Sequence, residues 1–534
     1  MMKTLLIFNH FDKFPLITTL LFLFACNPKS ENNSPPTIQN FQLEEITITK
    51  LQDGYSKGDF TITEIVQLYI DRIEAVDKKD LELNSIIQLN PDAIAIARKL
   101  DIELKAGKSR GPLHGVPIVL KDNIDTHDQM FTTAGSRALQ NSKPKHDSYV
   151  AKKLREAGAV IIAKANLSEW ANFRGKMSSS GWSGINGQTK NPYVLDRNPC
   201  GSSSGSGVAV SANLTLLAIG TETNGSIVCP SNNNGIVGIK PTVGLVSRSG
   251  IIPISFTQDT AGPMARTVTD AAICLGALIG IDSTDTKTLA SKNKVYDNYT
   301  QFLSKDGLKG KKIGVYTDPL GKHHKVDTIF QTAVNFIKNQ GAEVVEFNEI
   351  LENDIGDLSF QVMLYEYKDG LNKYFKSLGK DASIKNLEEL IAFNQKDSVE
   401  LSFYNQEYLK MAQDKDGLDS KSYQDILAKM LKGAREEGID RIMNEHNLDA
   451  IISPTGGPAW KTDHINGDSF GLGSSSPAAI SGYPNITVPM GFVDELPIGI
   501  SFFGRAWSEP ILLEIAYAYE QGTNHREAPK FLEN

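Results

Sequence analysis

Two small-residue segments hold the residue types for acyl chemistry: Cys200-Gly201-Ser202-Ser203-Ser204-Gly205-Ser206-Gly207 and Gly220-Thr221-Glu222-Thr223-Asn224-Gly225-Ser226. Glycine lets a backbone approach a ligand and aim several N–H groups at one point, and serine supplies a hydroxyl for nucleophilic attack or proton relay. An apolar run, Val208-Ala209-Val210 and then Leu214 through Ile219, joins the two segments. A flexible Gly/Ser linker lacks such flanks, so both loops are expected at the ends of buried elements. At this level the serines are equal candidates. A third feature is Lys121, which closes the run Gly115-Val116-Pro117-Ile118-Val119-Leu120. A lysine at a strand end is usually a surface cap. Here the amount of apolar sequence before it predicts a partly buried ammonium, and burial lowers a lysine pKa toward that of a competent general base.

These residues need elements to hold them. Val116 to Leu120 and Ala159 to Ala163 read as short buried strands, and Tyr149 to Glu156 as a helix between them. Upstream, Thr61-Ile62-Thr63-Glu64 forms a capping box ahead of an amphipathic run from Ile65 to Val76, and a second helix is expected around residues 91–107. Interleaved helices and strands predict an α/β fold, a single large layered domain with a mixed central sheet flanked by helices and its site on the loops. After about residue 285 come a strand (312–316), a helix (326–339), a strand (342–347) and then a charged, helix-forming stretch over about 350–445, read as a variable or substrate-covering region. Ser453-Pro454-Thr455-Gly456-Gly457-Pro458 and Ser474-Ser475-Ser476-Pro477 return to loop-rich character, so the C-terminal part is expected to complete one domain over 41–534.

A formal net charge of −8 and no basic block argue against nucleic acid as a partner. In the first 25 residues Lys3 and Lys13 flank a short apolar start, the apolar stretch Pro15 to Ala25 follows, and the whole reads as a secretion signal. It ends Leu23-Phe24-Ala25-Cys26, which resembles the bacterial lipoprotein box and makes Cys26 the expected lipidation site, with residues 26–40 as a polar tether. The expected location is therefore outside the cytoplasm, anchored to a membrane by lipid. Cys200, Cys229 and Cys274 remain, an odd number without a CxxC, and neither a disulfide framework nor a zinc site is expected from them.

Gly111-Pro112-Leu113-His114-Gly115-Val116-Pro117 with Lys121-Asp122-Asn123, the two small-residue loops, and Gly238-Ile239-Lys240-Pro241-Thr242 resemble the amidase signature family over nearly the whole chain beyond the signal. The resemblance implies a Ser–Ser–Lys triad without metal or organic cofactor. Motif by motif it places the lysine at Lys121, the bridging serine, preceded by a cis peptide bond, at Ser202, and the nucleophile at Ser226, 24 positions further on. It further implies an oxyanion hole from the backbone N–H groups of Thr223, Asn224, Gly225 and Ser226. Asp259 resembles a family residue that braces the nucleophile loop, the alternative being a local turn cap. The implied reaction is hydrolysis of a carboxamide to carboxylate and ammonia. The segments 220–230 and 250–255 look closest to peptide amidases, which remove ammonia from the C-terminal amide of a peptide. Cys200, Ser204 and Asn224 depart from the common glycines of the family's loops, which bears on pocket shape. Ser178 to Ser180 and Ser474 to Ser476 are read as loop residues lining or closing the cleft, and Trp182 and Trp460 as either core or pocket wall.

Three other readings compete. Gly201-Ser202-Ser203-Ser204-Gly205 formally matches the G-x-S-x-G elbow of an α/β-hydrolase esterase with Ser203 as nucleophile, but no regular strand fits before it, and His323, His324, His446, His464 and His525 lack an identifying context. A non-catalytic binding lipoprotein with an amidase fold would be signalled by loss of Ser226, Ser202 or Lys121, and all three are present. The tRNA-dependent amidotransferase chain that amidates misacylated tRNA shares the family, but an exported protein would meet no tRNA.

Overall fold

The computed structural model describes residues 41–534. The signal, the tether and Cys26 lie outside the described residues. The first capping box forms as the sequence predicts: the Thr61 hydroxyl accepts from the Glu64 N–H, and the Glu64 carboxylate accepts from the Thr61 N–H. Such a cap contributes about 1 kcal/mol. The helix it opens, Ile62–Arg72, buries Ile62, Ile65, Val66 and Tyr69 on one face. The spacing predicts that face to run on to Val76; beyond Arg72 the backbone instead widens into a π-helix, Ile73–Asp80. That turn carries Asp77 into the interior, where its carboxylate accepts from the backbone N–H groups of Ser85 and Ile86 and from the Ser85 hydroxyl.

One mixed sheet of eleven strands organises the chain. Its spatial order is Ile86–Leu89, Val160–Ala165, Pro117–Lys121, Leu217–Glu222, Thr260–Ala265, Val237–Lys240, Asn485–Val493, Leu496–Phe503, Ala450–Pro454, Lys312–Tyr316 and Glu343–Phe347. The strand carrying Lys121 lies parallel to both neighbours. Strands buried on both faces need continuous apolar sequence, and Pro117-Ile118-Val119-Leu120 and Leu217-Ala218-Ile219 supply it. Residues 450–503 sit at the centre of this sheet beside Val237–Lys240, so the late loop-rich segment completes the early core.

The stretch expected to be helical forms helices Ile355–Leu378, Leu387–Asn394, Glu407–Gln413, Lys421–Ala434 and Asp440–Glu445. Leu364, Tyr367, Leu371 and Phe375 of the longest helix bury against Trp170, Phe173, Ile252 and Ile254. At roughly 1.5–3 kcal/mol per buried side chain, this contact alone fixes the helix to the core. Polar ties add direction. Glu366, buried on that helix, accepts from the hydroxyls of Ser255, Thr257 and Tyr423. Buried Arg174 lies between Glu169 at 2.8 Å and Glu400 at 3.5 Å, and burial with the neighbouring Glu400 pushes the Glu169 carboxyl well above the usual carboxylate range.

Candidate active site

Lys121 is the last residue of its strand and is fully buried. Its Nζ lies 2.7 Å from Ser202 Oγ, 2.8 Å from Thr221 Oγ1 and 3.2 Å from the Thr221 carbonyl oxygen. Burial pulls its pKa down to about 7, against the opposing pull of Asp259 and Glu222. A neutral amine has two hydrogens and one lone pair. The Thr221 hydroxyl and carbonyl oxygens accept the two hydrogens, and the lone pair then points at the Ser202 hydroxyl.

The small-residue loops separate their serines by what each hydroxyl is bonded to. Ser203 Oγ donates to the Thr221 carbonyl and accepts from the Thr221 N–H, Ser204 Oγ donates to the Cys200 carbonyl, and Ser206 Oγ donates to the Ile219 carbonyl. Those three are backbone fasteners of the helix Ser204–Ser211 and of its approach to the strand Leu217–Glu222. Ser202 alone faces Lys121, and the Gly201–Ser202 peptide is cis. A Cβ at Gly201 would stand 2.1 Å from Ser168 Oγ, so any larger residue would displace the Ser168 hydroxyl from its bond to the Gly181 N–H.

Ser226 is half-buried at the turn into the helix Val228–Asn233. Its carbonyl accepts from the Ser203 N–H at 3.2 Å, which joins the two loops through backbone. Among the described residues its hydroxyl has no hydrogen-bonding partner, so Ser202 and Ser226 lie on joined loops without a direct hydrogen bond between their hydroxyls. The backbone N–H groups of residues 223–226 also lack acceptors among the described residues, and Gly225 holds φ at +84° to make the turn. Four adjacent backbone donors are thus left without a partner on this turn.

Asp259 is bonded both to the loop that carries Ser226 and to a local turn. One oxygen accepts from the Thr223 hydroxyl at 2.5 Å, and the other accepts from the Ile254 and Ser255 N–H groups at 2.8 and 2.9 Å. Burial raises its pKa to about 6. Asn224 is exposed and its side chain is clasped by a distant segment: Ser475 Oγ donates to Asn224 Oδ1 at 2.7 Å, and Asn224 Nδ2 donates to Ser476 Oγ at 3.2 Å. Ser475 and Ser476 thus hold Asn224, whereas Ser474 Oγ donates to the Pro454 carbonyl, and none of the three lines the large cavity beside Thr221 and Asp259.

Two residues escaped the sequence reading. Thr221 supplies both acceptors for Lys121, and Asn123 Nδ2 donates to the same Thr221 hydroxyl at 3.0 Å. Glu222 accepts from the Ile227 and Val228 N–H groups at 2.8 and 3.0 Å and so pins the backbone just after Ser226. An acid ahead of a helix start was the available signal. The expectation for the cysteines is corrected: Cys200 and Cys229 form a disulfide with Cα atoms 5.9 Å apart, and Cys274 is a buried free thiol. Sequence spacing hid this pair because folding, not proximity in the chain, brings the start of one loop against the helix after the other. Trp182 is buried beneath Arg174, Phe403 and Tyr404, and Trp460 donates to Asp468; neither lines the large cavity beside Thr221 and Asp259. The histidines serve elsewhere, as His323 at a helix N-cap and His446 stacked on Phe347.

That cavity, of about 590 Å³, opens next to the catalytic candidates. Asn123, Thr221, Thr223 and Asp259 line its inner end, and Ile251, Ile252, Pro253, Ile254 and Phe256 with the helix at Gly370–Ser377 form its walls. Among the described residues no group of three or more His, Cys, Asp or Glu side chains is placed to hold a metal ion, and no helix is long and apolar enough to cross a membrane.

Known proteins resemble this chain along nearly its whole described length. A family model described as Amidase matches residues 64–513. The chain is similar to the native peptide amidase of Stenotrophomonas maltophilia, with 48% identity and a TM-score of 0.89 over 92% of this chain and all of that one. It is 40% identical over 501 residues to a probable amidase of Arabidopsis thaliana, covering 92% of this chain and 93% of that one. A glutamyl-tRNA(Gln) amidotransferase chain of Fusobacterium nucleatum is 32% identical, covering 91% and 99%.

Proposed function

The chain belongs to the amidase signature family and is a hydrolase of amide C–N bonds, and from that premise we propose that it works through an acyl-enzyme on Ser226, with Ser202 and Lys121 as its proton relay. The observation that carries this reading is the contact set of Lys121: a buried amine of lowered pKa, both hydrogens accepted by Thr221, its lone pair left for Ser202. Ser226 Oγ attacks the carboxamide carbon as its proton passes to Ser202 Oγ, whose own proton moves to Lys121 Nζ. The oxygen of the tetrahedral intermediate takes its charge against the N–H groups of residues 223–226. Each such donor is worth about 3 kcal/mol in comparable sites. The relay then runs backwards: Lys121 returns a proton through Ser202 to the nitrogen, the C–N bond breaks and ammonia leaves. Water attacks the acyl-enzyme by the same route, releasing carboxylate and restoring Ser226.

The substrate proposed is a peptide bearing a C-terminal amide. The likeness to a peptide amidase at 48% identity and the size and apolar walls of the cavity support it. The same reading takes the protein to be exported and anchored through Cys26. The Cys200–Cys229 disulfide supports this, because structural disulfides persist in oxidising compartments.

Ammonia release from amidated peptides, set against small aliphatic and aromatic amides, tests the substrate. Labelling with a serine-directed phosphonate tests the nucleophile: the mass increase is expected on the peptide holding Ser226, and Ser226→Ala is expected to lose both label and turnover. Labelling at Ser203, or full activity in Ser226→Ala, would overturn the assignment.

A further inference from the structure

The outer end of the 590 Å³ cavity carries a cation that the catalytic reading does not use. Arg248, Lys287 and Lys373 all line the cavity. Two of them are already neutralised. Arg248 is paired through two of its nitrogens with Asp285, at 2.7 and 2.5 Å, and also donates to the Phe256 carbonyl. Lys373 is paired with Asp369 one helical turn away at 2.6 Å. Lys287 has no ion pair and no side-chain hydrogen bond among the described residues.

The acids that face the cavity are committed in turn. Asp285 belongs to Arg248. At the inner end Asp259 accepts from Thr223, and Asp125 accepts from the Tyr374 hydroxyl at 2.9 Å. Glu366, behind the wall, accepts from Ser255, Thr257 and Tyr423. Burial, Arg435 and Arg248 hold the Lys287 pKa below the ordinary lysine value, against the weaker opposing pull of Glu366 and Asp285. An ammonium that makes no ion pair of its own, at the mouth of an apolar-walled cavity whose acids are engaged elsewhere, favours an anion there.

We propose that this cavity selects amides whose acyl part ends in a carboxylate, with Lys287 as the recognising cation, the apolar wall of Ile251, Ile252 and Phe256 holding the intervening chain, and the amide at the Thr221–Thr223 end. A peptide amide with an acidic side chain, or one capped by a diacid, has this chemistry. The inference rests on the amidase reading. It adds a charge preference that the triad does not require.

Leucinamides capped with diacids from succinyl to suberoyl, each paired with a monoacid cap of the same length, test it by ammonia release at low and high salt. The diacid of matching length is expected to show roughly fivefold higher kcat/KM than its neutral pair, through KM, as for a partly exposed ion pair. Salt is expected to reduce that ratio. Lys287→Met is expected to abolish it and Lys287→Glu to invert it toward a β-alanyl cap, with turnover of the neutral caps unchanged in both. Equal turnover of diacid and monoacid at every length, or a preference that survives Lys287→Glu, would overturn the proposal. Calorimetric binding of the same pairs to the Ser226→Ala protein reads charge preference without catalysis. Loss of turnover of all caps with the charge preference in binding intact would therefore count against the amidase reading alone, and binding without charge preference against the Lys287 site.

Discussion

If Lys121 is the terminal base, kcat/KM on a neutral amide reports its protonation, and the structure sets where the change falls. Below its pKa the amine is protonated and has no lone pair for Ser202, so activity falls as pH falls. With the pKa at about 7, half of the enzyme is competent at pH 7. A solvated lysine near 10.4 would leave about three to four molecules in ten thousand neutral, so burial raises the competent fraction by roughly a thousandfold. The profile should rise about tenfold per unit up to near pH 7 and then level. Stability should move in the same direction for a different reason. The folded pKa lies below the unfolded one, so the unfolded chain binds more protons between about 7 and 10.5, and this group's contribution to stability rises with pH across that window. At pH 6 the burial costs roughly 5 kcal/mol, partly offset by the three hydrogen bonds at about 1 kcal/mol each. Lys121→Met should therefore be inactive yet about 1–3 kcal/mol more stable at pH 6, with the gain shrinking by pH 9. The assays are initial-rate ammonia release from pH 5 to 9 and urea unfolding at pH 6, 7.5 and 9. Asp125 and Asp259 titrate nearby, at about 7 and about 6, so Asp125→Asn is the control and should keep the limb. A flat profile across pH 5 to 9, a rise that continues beyond pH 9, or an active Lys121→Met enzyme would refute the reasoning.

Thr221→Val removes an acceptor that favours the ammonium over the amine, so the limb should move to lower pH by up to about one unit while the plateau falls roughly tenfold, and Thr221→Ser should restore both. Thr223→Val deletes the brace to Asp259; kcat should drop about tenfold with little change in KM, read by steady-state kinetics on one amidated dipeptide. Replacing Cys200 and Cys229 with serine opens a closed loop of 29 residues' separation and should lower stability by about 3–4 kcal/mol. Alkylation of the native protein should modify none of Cys200, Cys229 and Cys274, and reaction at either of the first two would contradict the link.

How legible was this molecule? The capping box at Thr61, the strand ending at Lys121 and the helix Tyr149–Glu156 were readable because each rests on contacts within a few residues. The candidate lysine and serines were readable because their motifs are local. Their division of labour was not. Lys121 reaches Ser202 across 81 positions and Thr221 across 100, distances that only sheet register and loop packing close.

Residue order by itself therefore determined which chemical groups were available and on which kind of element each would sit. Tertiary structure decided which serine hydroxyls were spent on backbone, that Thr221 would orient the amine, that Glu222 would pin the turn after Ser226, that Cys200 would meet Cys229, and that Lys287 would stand unpaired at a cavity mouth. The physical reason is range. Periodicity and capping act over one or two turns of chain, whereas the desolvation that brings Lys121 to about 7 depends on every element packed around it.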